Sequence, residues 1–316
     1  MIQYLNIGNI NLIYHSSFKE IPKELRKTIH NVTPQNILKQ ALLFKKYLDI
    51  ISIDELFSLP IKERDGKVSI TFDDGYNNIF DEILVKLSDN SVPVTVFLVG
   101  NSLNKKPYWR DKVIFLNNNK KYLIEFIKFF QKNTNIKFNI NNFFQESKQS
   151  NINSLLLDKA LDRFFKTHHL DEKIDLNLVT DSNKLIRNKF IKYGNHTTNH
   201  YVMSSLTYDE QKKEILNNKN YLASLNIQMS DVFALPFGTY QDINFDTIKI
   251  LKELNINKVL LCGNTINNSN NYFEIDNIKF LDRLTPSNNI YRVIYNMLKI
   301  KIANQNLKSK FTNLQF

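Results

Sequence analysis

The sequence has a single cysteine, Cys262, among its 316 residues. Disulfide frameworks and cysteine-based zinc sites both need several cysteines at defined spacings. Neither is therefore expected in this chain.

Basic residues are missing from the first 18 positions, where asparagines also interrupt any apolar run. A secretory signal peptide has a basic start followed by an apolar segment, so none is predicted. No segment reaches the roughly 18 apolar residues that indicate a membrane-spanning helix. We therefore expect a cytoplasmic protein, and the basic tail at 303–316 leaves room for peripheral contact with the inner membrane.

The 42 lysine and arginine residues outnumber the 31 acidic ones, which gives a formal net charge of +11 and a pI of about 9.4. A basic excess favours anionic partners such as phosphate-bearing substrates or a membrane surface. The basic residues are scattered, however, and no basic helix interleaved with aromatic residues is present. Nucleic-acid binding is therefore not predicted.

Segments of strand and helix type alternate along most of the chain. VSITF at 68–72 alternates like a strand, and VPVTVFLV at 92–99 predicts a strand buried on both faces, as in a parallel sheet. The helix predicted at 79–87 completes a βαβ unit and indicates an α/β fold. Further strands are predicted at 10–14, 50–53, 190–193, 232–235, 258–262 and 278–281, further helices at 33–48, 53–57, 207–225, 245–254 and 290–302, and an Asn-rich loop at 264–277.

The segment between the strands ending at 99 and beginning at 190 has a different character. It is rich in Lys, Asn and Phe, and no strand pattern interrupts its helical stretches. We predict helices near 111–131, 154–167 and 181–191. The expected organisation is a catalytic barrel formed by 1–100 and 190–302, a mostly helical insertion at 101–189, and the tail at 303–316.

Two adjacent carboxylates, Asp73 and Asp74, follow the strand predicted at 68–72. Neighbouring like charges disfavour each other's ionised form and resist burial, so a cation is the expected compensation. Gly75 then allows a sharp turn or a close approach to a ligand. An ordinary Asp-Gly turn is the alternative, and this stretch alone does not decide between them.

His196 and His200 follow another predicted strand. On one turn of helix, two residues four apart would share a face. Two imidazoles and a carboxylate suit zinc and leave a position for water. Thr197 stands where HExxH metalloproteases carry their glutamate base, so the base must come from elsewhere, and the paired aspartates supply both a ligand and a base. Two surface histidines in a polar turn are the alternative.

Three motifs occur in a fixed order, each after a predicted strand: TFDDG at 71–75, H-x-x-x-H at 196–200 and Pro-Phe-Gly at 236–238. Together they resemble the polysaccharide deacetylase family, known as the NodB homology domain or carbohydrate esterase family 4. The resemblance implies a distorted (β/α)₇ barrel that binds a divalent metal, usually zinc, at the C-terminal end of its strands.

The N-terminal part narrows the resemblance. Tyr14-His15, followed by a helix that leads into IISIDELF at 50–57, is similar to the branch that includes poly-N-acetylglucosamine deacetylases. The resemblance extends over 10–100 and 190–298, and the insertion lies outside it.

Site roles follow from the resemblance by position. It implies that Asp74, His196 and His200 are metal ligands and that Asp73 is the general base, which takes a proton from the attacking water.

The Pro-Phe-Gly motif has its own implied role. The backbone N–H of Phe237 would stabilise the oxyanion. Pro236 and Gly238 would stiffen the loop and allow close approach to the substrate.

The acid that protonates the leaving amine departs from the common family pattern. Many members use a histidine in a late Leu-x-His motif, but no histidine follows His200 here. In the branch with the early motif this histidine comes from the N-terminal segment, which gives the role to His15, although position alone favours a surface or capping histidine. Arg283 is expected to orient Asp73 or to bind substrate, with a surface salt bridge as the alternative.

The predicted function is metal-dependent removal of an N-acetyl group from an amino sugar in cell-surface polysaccharide biosynthesis. A lipid-linked or nucleotide-linked sugar is the expected substrate, because no export signal is predicted. Deformylation or O-deacetylation by the same site, and a non-catalytic glycan-binding relative, are the alternatives. The insertion is expected to cover the site or to contact a membrane partner.

Overall fold

Residues 8–269 and 272–303 are described by a computed structural model, in which nine strands form a single sheet. The apolar runs predicted from the sequence supply most of these strands. Their bounds are β1 Ile10–Tyr14, β2 Asp49–Ile50, β3 Lys67–Phe72, β4 Val94–Leu98, β5 Ile191–Asn195, β6 Met229–Ala234, β7 Lys258–Leu260, β8 Phe273–Ile275 and β9 Ile278–Leu281.

Seven of the strands run parallel, in the order β1-β3-β4-β5-β6-β7-β9. β2 pairs with the start of β3, and β8 pairs antiparallel with β9. Just beyond β9, Leu284 donates its N–H to Asn11 O at 2.7 Å and accepts from Ile13 N at 3.0 Å. This bridge joins the two ends of the parallel order, so the sheet curves into a barrel-like shape. The predicted α/β barrel class is confirmed.

Eleven α-helices lie along the described residues. α1 begins with a proline in its first turn, and Thr207 and Glu210 form the predicted capping box at the start of α9. The bounds are α1 Pro34–Tyr47, α2 Ile53–Ser58, α3 Asn77–Asp81, α4 Ile83–Asp89, α5 Trp109–Asn118, α6 Lys120–Thr134, α7 Phe143–Glu146, α8 Ser154–Thr167, α9 Tyr208–Ser224, α10 Phe245–Glu253 and α11 Ile290–Ala303.

Helices α5 to α8 fill the connection between β4 and β5. A cluster of buried phenylalanines holds them together, because the ring of Phe126 lies 5.8 Å from those of Phe130 and Phe143 and 5.4 Å from that of Phe164. Aromatic pairs at such distances add to the stabilisation from burial alone. The helical segment therefore has a packed interior of its own that also joins the main core.

Two local predictions are wrong. No α-helix forms at 181–191, because the Arg187 side chain donates to the backbone oxygens of Ser182, Leu185 and Asn226 and holds an irregular path. The segment 264–277 contains β8, which turns into β9 through two residues with positive φ, Asp276 (52°) and Asn277 (65°). Asx residues tolerate this conformation, which suits tight hairpins.

Two further elements are shorter than predicted. β2 has only two residues, and the helix expected over 79–87 is broken at Glu82 into α3 and α4. The basic tail predicted at 303–316 lies, except for Ala303, outside the described residues. Among the described residues, no helix is both long and apolar enough to cross a membrane.

Candidate active site

The C-terminal ends of the parallel strands surround a cleft of about 230 Å³. Parallel barrels place functional residues at this end of their strands, because the following loops converge there. Five of the seven parallel strands are followed by predicted groups that line the cleft or, in the case of Arg283, bond to a residue that lines it. These are His15 after β1, Asp73 and Asp74 after β3, His196 and His200 after β5, Phe237 after β6 and Arg283 after β9.

Asp74, His196 and His200 meet at the base of the cleft. One possible ligand atom from each lies within 4.8 Å of the other two. The Oδ1 atom of Asp74 is 3.5 Å from His196 Nε2 and 3.3 Å from His200 Nε2. All three residues are buried, so the sequence prediction that these groups come together agrees with this geometry.

The two histidines lie on a loop and not on the helical turn considered from their spacing. Thr197 and His200 have φ of 64° and 59°, which is costly for residues with a side chain and persists only where surrounding contacts enforce it. Asn195 Oδ1 accepts from Thr197 N at 2.9 Å, and Thr197 Oγ1 accepts from His200 N at 2.9 Å. These bonds hold a strained loop that turns both imidazoles toward Asp74.

A backbone contact fixes the tautomer of His196. Its Nδ1 lies 2.8 Å from Ala234 O, so this nitrogen donates and Nε2 faces the carboxylates as a base. Burial lowers the pKa of His200 to about 3. Burial also favours neutral His196, but Asp73 and Asp74 outweigh it and raise the His196 pKa.

Asp73 has a different environment from its neighbour. Arg283 Nη1 and Nη2 donate to its two oxygens at 2.6 and 2.7 Å. Burial alone would raise the pKa of this carboxyl, but Arg283 and His196 hold it below its usual range. Asp73 is therefore an ionised carboxylate beside the three-residue cluster, 3.6 Å from His196 Nε2, without belonging to that cluster.

Arg283 is fully buried, so the alternative of a surface salt bridge is wrong. Besides the two bonds to Asp73, it donates to Leu261 O, Thr71 Oγ1 and Cys262 Sγ. These five bonds match the number of N–H donors of a guanidinium. The arrangement leaves none for the predicted substrate contact and favours the role of orienting Asp73.

The Pro-Phe-Gly motif forms a tight loop after β6. Phe237 and Gly238 have φ of 60° and 70°, and Gly238 N donates to Pro236 O at 2.7 Å. A Cβ on Gly238 would lie 2.8 Å from Cys262 N, so only glycine fits without displacement. Among the described residues, the N–H of Phe237 has no acceptor, and its ring packs edge-on against His200 at 4.6 Å.

His15 is paired with a histidine that the sequence did not indicate. His30 Nε2 lies 2.6 Å from Pro286 O and must donate to it, which leaves His30 Nδ1 as an acceptor. His15 Nδ1 lies 3.4 Å from that atom and donates to it. Nε2 of His15 is then unprotonated, and burial holds the His15 pKa below its usual value.

Glu214 is a second residue that the sequence analysis missed. Its carboxylate accepts from Asn199 N at 2.8 Å and Asn199 Nδ2 at 2.6 Å, and so anchors the loop between the two histidines. Burial raises its pKa to about 7. A signal for it existed, because Gln211, Glu214 and Asn218 recur at helical spacing on the face of α9 that is otherwise apolar.

The cluster fits a divalent metal. Asp74 Oδ1 is buried and has no hydrogen-bond partner, although it lies between two imidazoles. A buried acceptor without a partner is costly, and a cation satisfies it. Two histidine nitrogens and one carboxylate oxygen form a ligand set that zinc and related ions accept with an open position.

The model of the polysaccharide deacetylase family matches residues 61–122 and 162–259, which make up half of the chain. This chain belongs to that family. The match confirms the resemblance drawn from the three motifs, and it identifies the protein as an enzyme that de-N-acetylates carbohydrates. The match also extends over 101–122 and 162–189, so only 123–161 of the segment predicted to lie outside the resemblance is unmatched between the two ranges.

Solved structures agree on the fold. The Streptococcus pyogenes deacetylase PplD, solved in complex with acetate, is 16% identical, with a TM-score of 0.53 over 93% of this chain and 98% of that one. A de-N-acetylase from Aggregatibacter actinomycetemcomitans is 14% identical, with a TM-score of 0.54 over 92% of this chain and 99% of that one. IcaB from Ammonifex degensii is 12% identical, with a TM-score of 0.54 over 92% of this chain and 97% of that one. No curated protein matches the sequence.

Proposed function

We propose that this enzyme hydrolyses the acetamide of an N-acetylated amino sugar with a divalent metal, zinc being the expected ion, during biosynthesis of a cell-surface polysaccharide. The observation that carries the proposal is the buried cluster of Asp74, His196 and His200 beside a separate, ionised Asp73. A ligand set and an adjacent base are the two parts that metal-assisted hydrolysis needs.

Asp74, His196 and His200 would hold the metal, which supplies polarisation of the attacking water and of the acetyl carbonyl. Asp73 accepts the proton of that water. Its bonds to Arg283 keep the carboxylate ionised and fix its direction. A base that is held by a partner and does not ligate the metal remains free for proton transfer.

The N–H of Phe237 is proposed to bind the oxyanion of the tetrahedral intermediate. Support comes from its lack of an acceptor among the described residues and from the position of the loop against His200. Pro236 and Gly238 fix the loop, so the donor needs no reorganisation during the reaction.

His15 is proposed as the group that protonates the leaving amine. His30 and Pro286 together set its tautomer, with Nε2 able to take up a proton. Because burial lowers its pKa, His15 is neutral before the reaction. The proton that Asp73 takes from the attacking water is proposed to pass to His15 Nε2, which delivers it to the amine as the C–N bond breaks, so that both groups return to their starting forms.

Acetate release from N-acetylglucosamine oligomers tests this function. We expect release by the purified enzyme, loss after treatment with a chelator and recovery on addition of zinc. Formate release from N-formyl analogues, or acetate release from O-acetyl sugars alone, would favour the alternative reactions of the same site. Acetate release that a chelator leaves unchanged would contradict the metal dependence. The cytoplasmic location stays a prediction.

Replacing His15 with alanine should lower the rate of acetate release by about 10²–10⁴-fold, the usual contribution of a positioned acid. Metal content should be unchanged, because His15 does not belong to the ligand cluster. Initial rates and elemental analysis measure the two effects. His169→Ala, at an exposed histidine far along the insertion, is the matched control. Equal activity of His15→Ala and the wild type would remove His15 from the mechanism.

A further inference from the structure

One wall of the catalytic cleft is built by the helical segment between β4 and β5. Tyr108, Arg110, Ile114, Phe144 and Lys148 line it together with the strand-end residues. Two of these five side chains are cationic, and the proposed mechanism uses neither of them.

Arg110 is only 6% exposed, yet no salt bridge to it is found among the described residues. Its guanidinium lies 4.8 Å from the Trp109 ring and 4.7 Å from the Phe144 ring. Nη1 donates to Ser147 Oγ at 2.7 Å and Nη2 to Phe144 O at 3.2 Å, which uses two of its five N–H donors on uncharged acceptors. Among the described residues, no carboxylate lies within 4.0 Å of it.

Two carboxyl groups, Asp111 and Asp242, attract these cations electrostatically, but neither forms a salt bridge with them. Asp111, next to Arg110 in the chain, accepts from Asn177 Nδ2 at 3.1 Å. Asp242, the carboxyl that attracts Lys148, accepts from Thr239 N at 2.8 Å and Thr239 Oγ1 at 2.6 Å.

Lys148 adds a second cation beside the first. It is partly buried, and burial together with Arg110 lowers its pKa. No carboxylate in the described part of the chain forms a salt bridge with it either. Two cations near each other in a cleft repel, so the pair favours binding of a further anion beside it.

These cations lie close to the reaction centre. The Phe237 ring centroid is 5.9 Å from the Arg110 guanidinium and 4.6 Å from the His200 ring. The Phe237 ring therefore lies close to both the cationic wall and the proposed metal ligands.

Arg110 also has a structural role, since its bonds to Ser147 and Phe144 hold α7 against α5. That role accounts for two of the five N–H donors of Arg110. It does not explain why Lys148 stands beside it in the same cleft without a salt bridge to any described carboxylate.

We propose that the substrate is an N-acetylated amino sugar that carries an anionic group, phosphate or carboxylate, bound by Lys148 and Arg110 while the acetamide lies at the metal cluster. This inference rests on the proposed function, which it narrows to anionic sugars.

Calorimetric binding of sugars without an acetamide tests the anion site independently of turnover. The probes are glucose 1-phosphate, glucuronic acid and neutral methyl glucoside, added to the zinc-loaded wild type. We expect at least one anionic probe to bind about 10-fold or more tightly than the neutral one, as for a single well-placed charge pair. The stronger of the two anionic probes identifies the group as phosphate or carboxylate.

Variants at Lys148 locate that preference. Lys148→Gln should reduce the ratio of affinities for the anionic and neutral probes to about 3 or less. Lys148→Arg should retain the ratio of the wild type. Lys128→Gln, at an exposed lysine of α6, should retain it as well. Equal affinity for all three probes, or a preference that Lys148→Gln leaves intact, would overturn the inference.

Acetate release separates this inference from the function on which it rests. N-acetylglucosamine 1-phosphate and methyl N-acetylglucosaminide are compared as substrates. A preference for the anionic probes in binding, with acetate released from neither substrate, counts against the proposed function. Acetate release from the neutral sugar, with no preference in binding, keeps the function and refutes the anionic substrate.

Discussion

Replacing His196 with alanine is expected to remove the divalent metal from the purified protein and to abolish acetate release. His196 Nδ1 is bonded to Ala234 O, so its Nε2 is preset toward Asp74, and the variant loses one of three ligands. Because the metal lowers the barrier by several kcal/mol, the rate should fall at least about 10³-fold. Elemental analysis should give near one ion per chain in the wild type and a small fraction of that in the variant.

His196 is almost fully buried, so its replacement could cause loss of metal through misfolding. A second ligand variant distinguishes misfolding from loss of a ligand. His200→Ala should give the same loss of metal, and circular dichroism would show whether each variant is folded. The exposed His169→Ala is again the matched control and should keep the metal. Metal retained by both ligand variants would refute the ligand assignment.

The strand ends of this protein were predictable because their signals are local. Apolar runs identified β1, β3, β4, β5, β6, β7 and β9 to within a few residues. The motifs directly after β3, β5 and β6 contain residues that line the cleft. In a parallel sheet, residues that follow strands meet at one edge whatever lies between them in sequence. The strand-end residues were therefore predictable without any knowledge of how the 101–189 segment folds.

The rest of the site could not be predicted, because it depends on contacts between distant parts of the chain. His30 lies in a polar segment without a motif and gains its role only where Pro286 and His15 approach it. Arg110 gives no signal in the sequence until the helical segment folds over the cleft. The left-handed conformation of His200 is likewise a product of tertiary hydrogen bonds, which the helical spacing concealed.

Asp73→Asn should keep the fold and the metal while lowering acetate release by about 10²–10⁴-fold, the usual contribution of a general base. An amide cannot accept the proton of the attacking water, but it preserves the shape of the side chain. The variant also leaves Arg283 as a buried cation without its carboxylate, which should cost about 3–5 kcal/mol of unfolding free energy. Rates must therefore be normalised to folded protein, with denaturant melts for stability and elemental analysis for metal.

The double variant Asp73→Asn with Arg283→Met separates the two effects. It removes both ends of the buried ion pair, so stability should recover toward the wild type while activity stays low. Arg283→Met alone keeps Asp73 as the base. The pKa of Asp73 should then rise, because burial raises it and Arg283 is the largest influence that lowers it. Less Asp73 is then ionised at a given pH, and the acidic limb of the pH–rate profile should move to higher pH. Activity restored along with stability in the double variant would show that Asp73 only supports the fold, and another group would have to be the base.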